Sequence, residues 1–356
     1  MSTNARTAVG TTTVLVVDAG DGHGRSALAA VRALAAAGYR PVVGTHGRSS
    51  LAAASRRCSE TVALPAPTDE GFAEALRIAA ETCGALTVLP GNDATLRSLG
   101  APGSDLVDKA RLVERARSVG FPVPPTRTFE NGSALVDAAS SLEYPVVVKP
   151  AVPSMPARRF TAPGALSVFA TTGESLLVQP FLSEPMRAVG GVVEGGRLVA
   201  AVHQRNIRTW PAECGTSCRA ETIEPDPVLE EALLRLLDGF SGIFQAQLVG
   251  EFLLDLNPRV YGSLPLSVAA GANLPAVWCD LLRGVDVPSV RARPGVSYRW
   301  VEGDLRSLTW SLRSRRIGVS AAFRALRPRR GAAHSTESLR DPRPTLVRIR
   351  HAFRRR

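Results

Sequence analysis

Within its first hundred residues the chain alternates short apolar runs with alanine-rich stretches, and few folds accept that alternation. Strands covered by helices on both faces read this way, so the segment predicts a parallel sheet with crossover helices. Val14 to Asp18 is the opening strand, and Gly20 to Gly24 then turns into a helix over Ser26 to Ala37 that Gly38 stops. A strand at Pro41 to Gly44, a helix at Ser50 to Arg57, a strand at Val62 to Leu64, a helix at Asp69 to Thr82 and a strand at Leu86 to Pro90 complete a Rossmann-like unit. The glycines of the Gly20 to Gly24 loop lack the spacing of a dinucleotide fingerprint, and Gly44-Thr45-His46 stands where an acidic residue would meet a ribose. The loop therefore reads as a tight turn or a substrate-facing loop.

At 356 residues, 45% of them hydrophobic, the chain is long enough for two or three cores. No apolar run approaches the roughly eighteen residues that span a bilayer, and five irregularly spaced cysteines with no leader-like start lead us to expect a reducing, cytoplasmic setting. The net charge of +11 is concentrated at one end. From Arg313 to Arg356 there are 14 arginines against Glu337 and Asp341, and the rest of the chain carries 29 basic against 30 acidic residues. A neutral body with a basic tail predicts no sequence-specific nucleic-acid binding. Of the 43 basic residues only Lys109 and Lys149 are lysines. A compact, rotatable ammonium suits a narrow phosphate site better than a planar guanidinium does, which singles out these two positions.

Downstream, a helix is expected over Asp105 to Val119, a strand ending in Lys149 over Tyr144 to Pro150, and a strand over Ser175 to Pro180. A hairpin turning at Glu194-Gly195-Gly196-Arg197 follows, then a helix over Pro227 to Leu237, paired strands at Ile243 to Val249 and Phe252 to Leu256, and a helix to Arg283. The paired strands carry the chemistry. Residues two apart on a strand share a face, so Asp255 and Asn257 project together, as do Gln245 and Gln247. Such oxygen-only side chains suit magnesium. A two-residue turn at Gly250-Glu251 pairs Val249 with Phe252 and sets Gln247 on the face opposite Asp255; an odd loop or a bulge sets Gln247 across from Asp255. The metal reading requires the second arrangement.

Over residues 11 to 310 the chain resembles the ATP-grasp superfamily, especially its carboxylate-amine ligases and the synthetase domains of carbamoyl-phosphate synthase. The matching stretches come in family order: the Rossmann-like unit, DKARLVERARSVGFPVPPT, VVVKP, LLVQPFL, QAQL and LLDLNPRVYGS. The resemblance implies an α/β and α+β chain, with a Rossmann-like domain at 11–103, an ATP-grasp domain at 104–285 made of subdomains 104–180 and 181–285, and a C-terminal extension with a basic tail at 286–356. It implies Lys109 and Lys149 on the nucleotide phosphates, backbone of Gln179, Pro180, Phe181 and Leu182 at the adenine edge, and Glu184 at the ribose. It also implies Gln247, Asp255 and Asn257 around two magnesium ions, with manganese as the alternative metal, and Arg259 on a phosphate oxygen. Arg205 and Arg208 look like the holders of the substrate carboxylate or acyl-phosphate, with a surface salt bridge as the competing reading.

The activity implied is ATP-dependent activation of a small carboxylic acid as an acyl-phosphate and its transfer to an amine, the substrates being amino-acid-like and a homodimer the assembly considered. One departure stands out. The glycine-rich phosphate lid of the family is replaced by Ala151-Val-Pro-Ser-Met-Pro-Ala-Arg-Arg-Phe160, in which prolines neither donate nor flex. Arg158 and Arg159 are candidate substitutes, and a nucleotide-binding protein without turnover is the alternative reading. Cys214 and Cys218 have no second ligand pair for zinc. Trp210, Trp278 and Trp300 read as core or interface residues.

Overall fold

The computed structural model describes residues 12–18, 24–47, 49–100, 103–327, 329 and 331–354. The loop from Gly20 to His23, and with it the reading of that turn, lies outside the described residues. Strands β1 (Thr13–Asp18), β2 (Arg40–Thr45), β3 (Glu60–Ala63) and β4 (Ala85–Pro90) form a parallel sheet in the order β3-β2-β1-β4. Helices α1 (Arg25–Ala36) and α2 (Phe72–Thr82) cover it, and α3 (Asp93–Ser98) follows β4. All six residues of β1 are buried, as expected of a central strand with helices on both faces.

Two expected helices change form. Residues 51–57 make a series of turns, because Asp18 accepts the Ser50 hydroxyl at 2.6 Å and the Ala52 amide at 3.2 Å, drawing the segment onto β1. The helix expected from Asp105 begins four residues later as α4 (Lys109–Ser118), after a 3-10 turn at Ser104–Val107. Asp108 is its cap, accepting from the amides of Ala110 and Arg111, and so Lys109 is fixed in the first helical turn.

The second sheet is antiparallel: β5 (Arg127–Phe129), β6 (Val146–Pro150), β7 (Arg158–Phe160) and β8 (Leu176–Pro180) in the order β5-β8-β6-β7, with α5 (Gly132–Asp137) against it. The third sheet is the largest. It contains β9 (Met186–Glu194), β10 (Arg197–Trp210), β11 (Thr216–Thr222), β12 (Gly242–Val249) and β13 (Phe252–Asn257), with α6 (Pro227–Leu236), α7 (Leu264–Ala269) and α8 (Leu274–Leu282) beside them. The β9–β10 turn places Gly195 and Gly196 at φ 54° and 74°, a left-handed pair that matches the twist of the flanking strands. A continuous apolar core runs from Val14 and Val16 through the alanine face of α1 to Leu264 and Leu274, and on to Val192 and Ile243 of the large sheet. This contact seats the first helix of the Rossmann-like unit against the large sheet.

Residues beyond 285 are structurally continuous with that sheet. Strand β14 (Val290–Arg291) pairs with β10, β15 (Ser297–Arg299) with β11, and β16 (Ala333–His334) with β15. Helices α9 (Val301–Arg313), α10 (Val319–Leu326) and α11 (Arg343–Arg354) complete the chain. The basic end is docked rather than loose. Asp341, 3% exposed, accepts from the Ser55 hydroxyl at 2.6 Å, the Arg56 amide at 2.9 Å and Arg32 Nε at 2.9 Å, and Arg348 pairs with Glu302. Among the described residues no helix is long and apolar enough to cross a membrane.

Burial alone raises the Asp341 carboxyl, but the Ser55, Arg56 and Arg32 donors outweigh it and hold the group below its ordinary value. A carboxylate depressed in the folded state contributes stability that is present above the unfolded value and lost as pH falls through the folded one. Asp341→Asn is expected to cost about 2 kcal/mol at pH 7, read as a lower urea midpoint, with the difference from wild type shrinking below pH 4. Equal midpoints at pH 7 would show that this docking contributes nothing.

Candidate active site

Strands β12 and β13 begin in tight register, Val249 opposite Phe252 and Leu248 opposite Leu253, and then slip so that Gln247 stands opposite Asp255. The extra residue is Leu254. The bulge has a packing cause: Leu253 and Leu256 are three apart, yet both are 2% exposed and lie in the same core, which an unbroken two-residue alternation forbids. The slip produces the arrangement that the metal reading requires.

The ammonium of Lys149, on β6, donates to the Leu254 carbonyl at 2.8 Å. Lys149 is 6% exposed. Burial lowers its pKa to about 8; Asp255 pulls it upward and Lys109 pushes it down. Lys109, at the start of α4, reaches Asp255 Oδ1 at 3.1 Å, and its amide donates to the Ala151 carbonyl at the end of β6. The two lysines of the chain thus converge on Asp255 from different elements.

Around them opens a cleft of about 630 Å³ between the second and third sheets. Val147, Leu182, Met186, Val249 and Leu254 provide its apolar walls, and Lys109, Lys149, Gln247 and Asp255 its polar end. An apolar slot ending in two ammonium groups fits a nucleotide: a flat base in the slot and phosphates on the lysines. Gln179, Pro180, Phe181 and Leu182 all line it. The Gln179 side chain donates to the Thr126 hydroxyl at 2.8 Å and the Phe181 amide to the Pro145 carbonyl at 2.9 Å, so the Phe181 amide is not available to a base edge. Glu184 is exposed beside Gly250 and is not part of the cleft wall.

Gln247 separates this cleft from a second, polar cavity of about 590 Å³. Asn257 and Arg259 line that cavity, with Asn257 accepting from Arg259 Nη2 at 3.0 Å. Asp93, at the start of α3, receives Arg259 Nε at 2.5 Å. Burial raises the Asp93 carboxyl, but Arg259 and Lys109 prevail and hold it below its ordinary value. The donors facing the boundary between the cavities are two amides and one carboxylate, and among the described residues no group of three or more His, Cys, Asp or Glu side chains forms an independent metal site. Such a set fits magnesium delivered with phosphates, which add the missing charge.

Arg205 and Arg208 do not line either cavity. On β10 the residues facing the polar cavity are Gln204 and Asn206, so Arg205 points to the other side, where it is exposed and paired with Glu221. A register shift after Asn206 then turns Arg208 toward the fully buried Asp304, at 2.6 Å. Arg205 thus forms a surface salt bridge, and Arg208 an ion pair with a buried carboxylate. Sequence reasoning missed Gln204, Asn206 and Arg25. The first two are linked with Gln245 in a chain of bonds, Gln245 to Ser263 at 3.0 Å, Ser263 to Gln204 at 3.0 Å and Gln204 to Asn206 at 2.9 Å. His203 to Asn206 are four polar residues in a row, so no alternation in the sequence singled out Gln204 and Asn206.

Where a glycine-rich lid was missing, β7 pairs with β6 and brings Arg159 over the Phe181 ring at 4.3 Å, with Nη1 on Glu213 at 2.9 Å. Glu213 and Cys214, from the loop joining β10 to β11, line the cleft on that side. Burial pushes the Cys214 thiol up to about 11, and Glu213 adds to the rise, so it is neither a thiolate nor a nucleophile at neutral pH.

Residues 172–304, which contain the β12–β13 pair and most of the polar cavity, match the family described as ATP-grasp in the biosynthetic pathway with Ter operon. No curated protein matches the sequence. Among solved structures, an N5-carboxyaminoimidazole synthetase from Staphylococcus aureus is similar with a TM-score of 0.61 at 14% identity, over 78% of this chain and 79% of that one. A biotin carboxylase from Campylobacter jejuni gives 0.58 at 15%, covering 78% and 72%, and an L-amino acid ligase from Bacillus licheniformis 0.59 at 13%, covering 76% and 74%. At such identities the likeness shows the fold alone, an ATP-grasp fold, and the ATP-grasp family match is carried by residues 172–304.

Proposed function

We propose that the chain is an ATP- and magnesium-dependent ligase that activates a small carboxylic acid as an acyl-phosphate and joins it to an amine, giving ADP and phosphate. The observation that carries this reading is the convergence of Lys109, Lys149, Gln247 and Asp255 at the polar end of an apolar cleft. ADP is present in a structure of the Staphylococcus aureus synthetase, and magnesium-ADP in a carboxylase domain from Hydrogenobacter thermophilus, which supports the same ligand here.

ATP and magnesium supply the phosphoryl group and the positive charge that make a carboxylate oxygen an effective leaving centre. The protein positions the reactants. Lys149 and Lys109 hold phosphate oxygens, Gln247, Asp255 and Asn257 offer oxygens to the metal, and Arg259, steadied by Asp93, neutralises charge developing on the transferred group. The acid enters from the polar cavity, whose wall is shared at Gln247. In the second step an amine nitrogen forms the bond to the acyl carbon, phosphate leaves, and the amine gives up a proton. This chemistry needs no side-chain nucleophile. A nucleotide-binding protein without turnover is the second reading, favoured by the proline-containing segment that replaces the glycine-rich lid.

Calorimetric titration with ATP and magnesium, followed by ADP release over a panel of acids and amines, separates the two. Asp255→Asn is expected to reduce acid-dependent ADP formation on the order of a hundredfold while leaving the urea midpoint close to wild type, since Asp255 faces the cleft. A lowered urea midpoint with nucleotide affinity and acid-dependent ADP formation intact would show that Asp255 is structural.

A further inference from the structure

The polar cavity holds a second cation that no reading of the sequence anticipated. Arg25 opens α1, from the Rossmann-like unit, and reaches across to the large sheet. Its guanidinium carbon lies 3.7 Å from the ring centroid of Trp300, Nη1 donates to the Tyr298 hydroxyl and Nη2 to Thr216 Oγ1, both at 3.3 Å. Tyr298 is itself fixed, donating to the Gly262 carbonyl at 3.0 Å. Gly262 packs so close that a Cβ there would stand 3.4 Å from the guanidinium.

A guanidinium has five donors, and two long bonds leave most of that capacity unused. Among the described residues no carboxylate lies within ion-pair distance of Arg25, whereas Arg259 in the same cavity is paired with Asp93. A second feature points to an anion. The Tyr261 hydroxyl, on a residue 2% exposed that lines the cavity, makes no hydrogen bond of good geometry; Ser267, the hydroxyl nearby, donates to the Leu264 carbonyl at 2.8 Å.

We infer that Arg25, held flat against Trp300, is the residue that binds and orients the carboxylate of the acid substrate, the role expected of Arg205 and Arg208. The planar fork can donate to two carboxylate oxygens, and the indole behind it restricts the guanidinium to one plane. Substrate recognition then depends on seating of the Rossmann-like unit, because α1 carries the anion-binding group while the large sheet carries the metal-binding oxygens. This inference rests on the ligase reading for the identity of the anion, but anion binding itself is tested without turnover.

Malonate is the probe, with neutral malonamide as control, titrated into the full chain and followed by tryptophan fluorescence and calorimetry. Saturable binding of malonate and none of malonamide is expected in the wild type. Arg25→Gln is expected to weaken malonate roughly tenfold to a hundredfold, the worth of hydrogen bonds to a charged group, with affinity for ATP and magnesium unchanged as the check on folding. Arg25→Lys, which keeps the charge and loses the fork, is expected to fall between the two. Wild-type protein that does not bind malonate, or an Arg25→Gln variant that binds it as well as wild type, would overturn the inference. Failure of ATP to bind while malonate still depends on Arg25 would instead overturn the ligase reading and leave the anion site standing.

Discussion

Lys149→Met is expected to weaken binding of ATP and magnesium by roughly two orders of magnitude, or about 3 kcal/mol, the scale of removing one member of a buried, hydrogen-bonded charge contact. Lys149 is the right residue to lose because its ammonium is already desolvated and held by the Leu254 carbonyl, so a phosphate meets a cation with no water shell to displace. The same burial sets a pH dependence. A lysine whose folded pKa is about 8, against an ordinary 10.5, binds fewer protons folded than unfolded between those values. Stability of the free protein therefore rises with pH through that window. Nucleotide affinity runs the other way, declining as pH climbs past 8 and the ammonium is lost. Calorimetric affinities and urea midpoints from pH 7 to 10 check both signs. Unchanged affinity in Lys149→Met, or affinity flat across that range, would remove Lys149 from the nucleotide site.

Asp304→Asn is expected to cost about 3 kcal/mol of stability, because it removes the buried charge that two partly buried guanidinium groups share. The Asp304 side chain is fully buried, with one oxygen on Arg208 Nε at 2.6 Å and the other on Arg299 Nε at 2.7 Å. The two arginines come from β10 and β15, and Asp304 from the first turn of α9. Arg208 Nη2 is already buried without a partner, so this neighbourhood has no spare acceptor to offer. Trp300, the cap residue of α9, lies at the same junction, and its displacement would release Arg25. A fall in the urea midpoint together with weaker malonate binding is the expected pair of results. A midpoint within error of wild type would mean that the two guanidinium groups find water or another acceptor at no cost.

Much of the architecture was legible because it follows from local chemistry. The apolar runs of β1, β2 and β4, the alanine face of α1, the paired glycines of the β9–β10 turn and the two lone lysines each carry their own physical reason within a few residues. The spacing of Leu253 and Leu256 even contained the bulge, since two leucines three apart reach one core only if a residue is extruded between them. Tertiary structure decided what local pattern left open. The stretch His203 to Trp210 is polar on both faces, so nothing within it says whether Gln204 or Arg205 looks into the cavity; pairing with β9 and β11 settles the face, and the shift after Asn206 sends Arg208 to Asp304. Residues 50–57 have helical composition, yet hydrogen bonds to Asp18 and to Asp341, the latter nearly three hundred residues away, hold them in turns. Arg25 is the clearest case: its partners Thr216, Tyr298 and Trp300 lie far along the chain, and only the packing of α1 against the large sheet turns a helix-start arginine into a cation of the polar cavity with no carboxylate partner among the described residues.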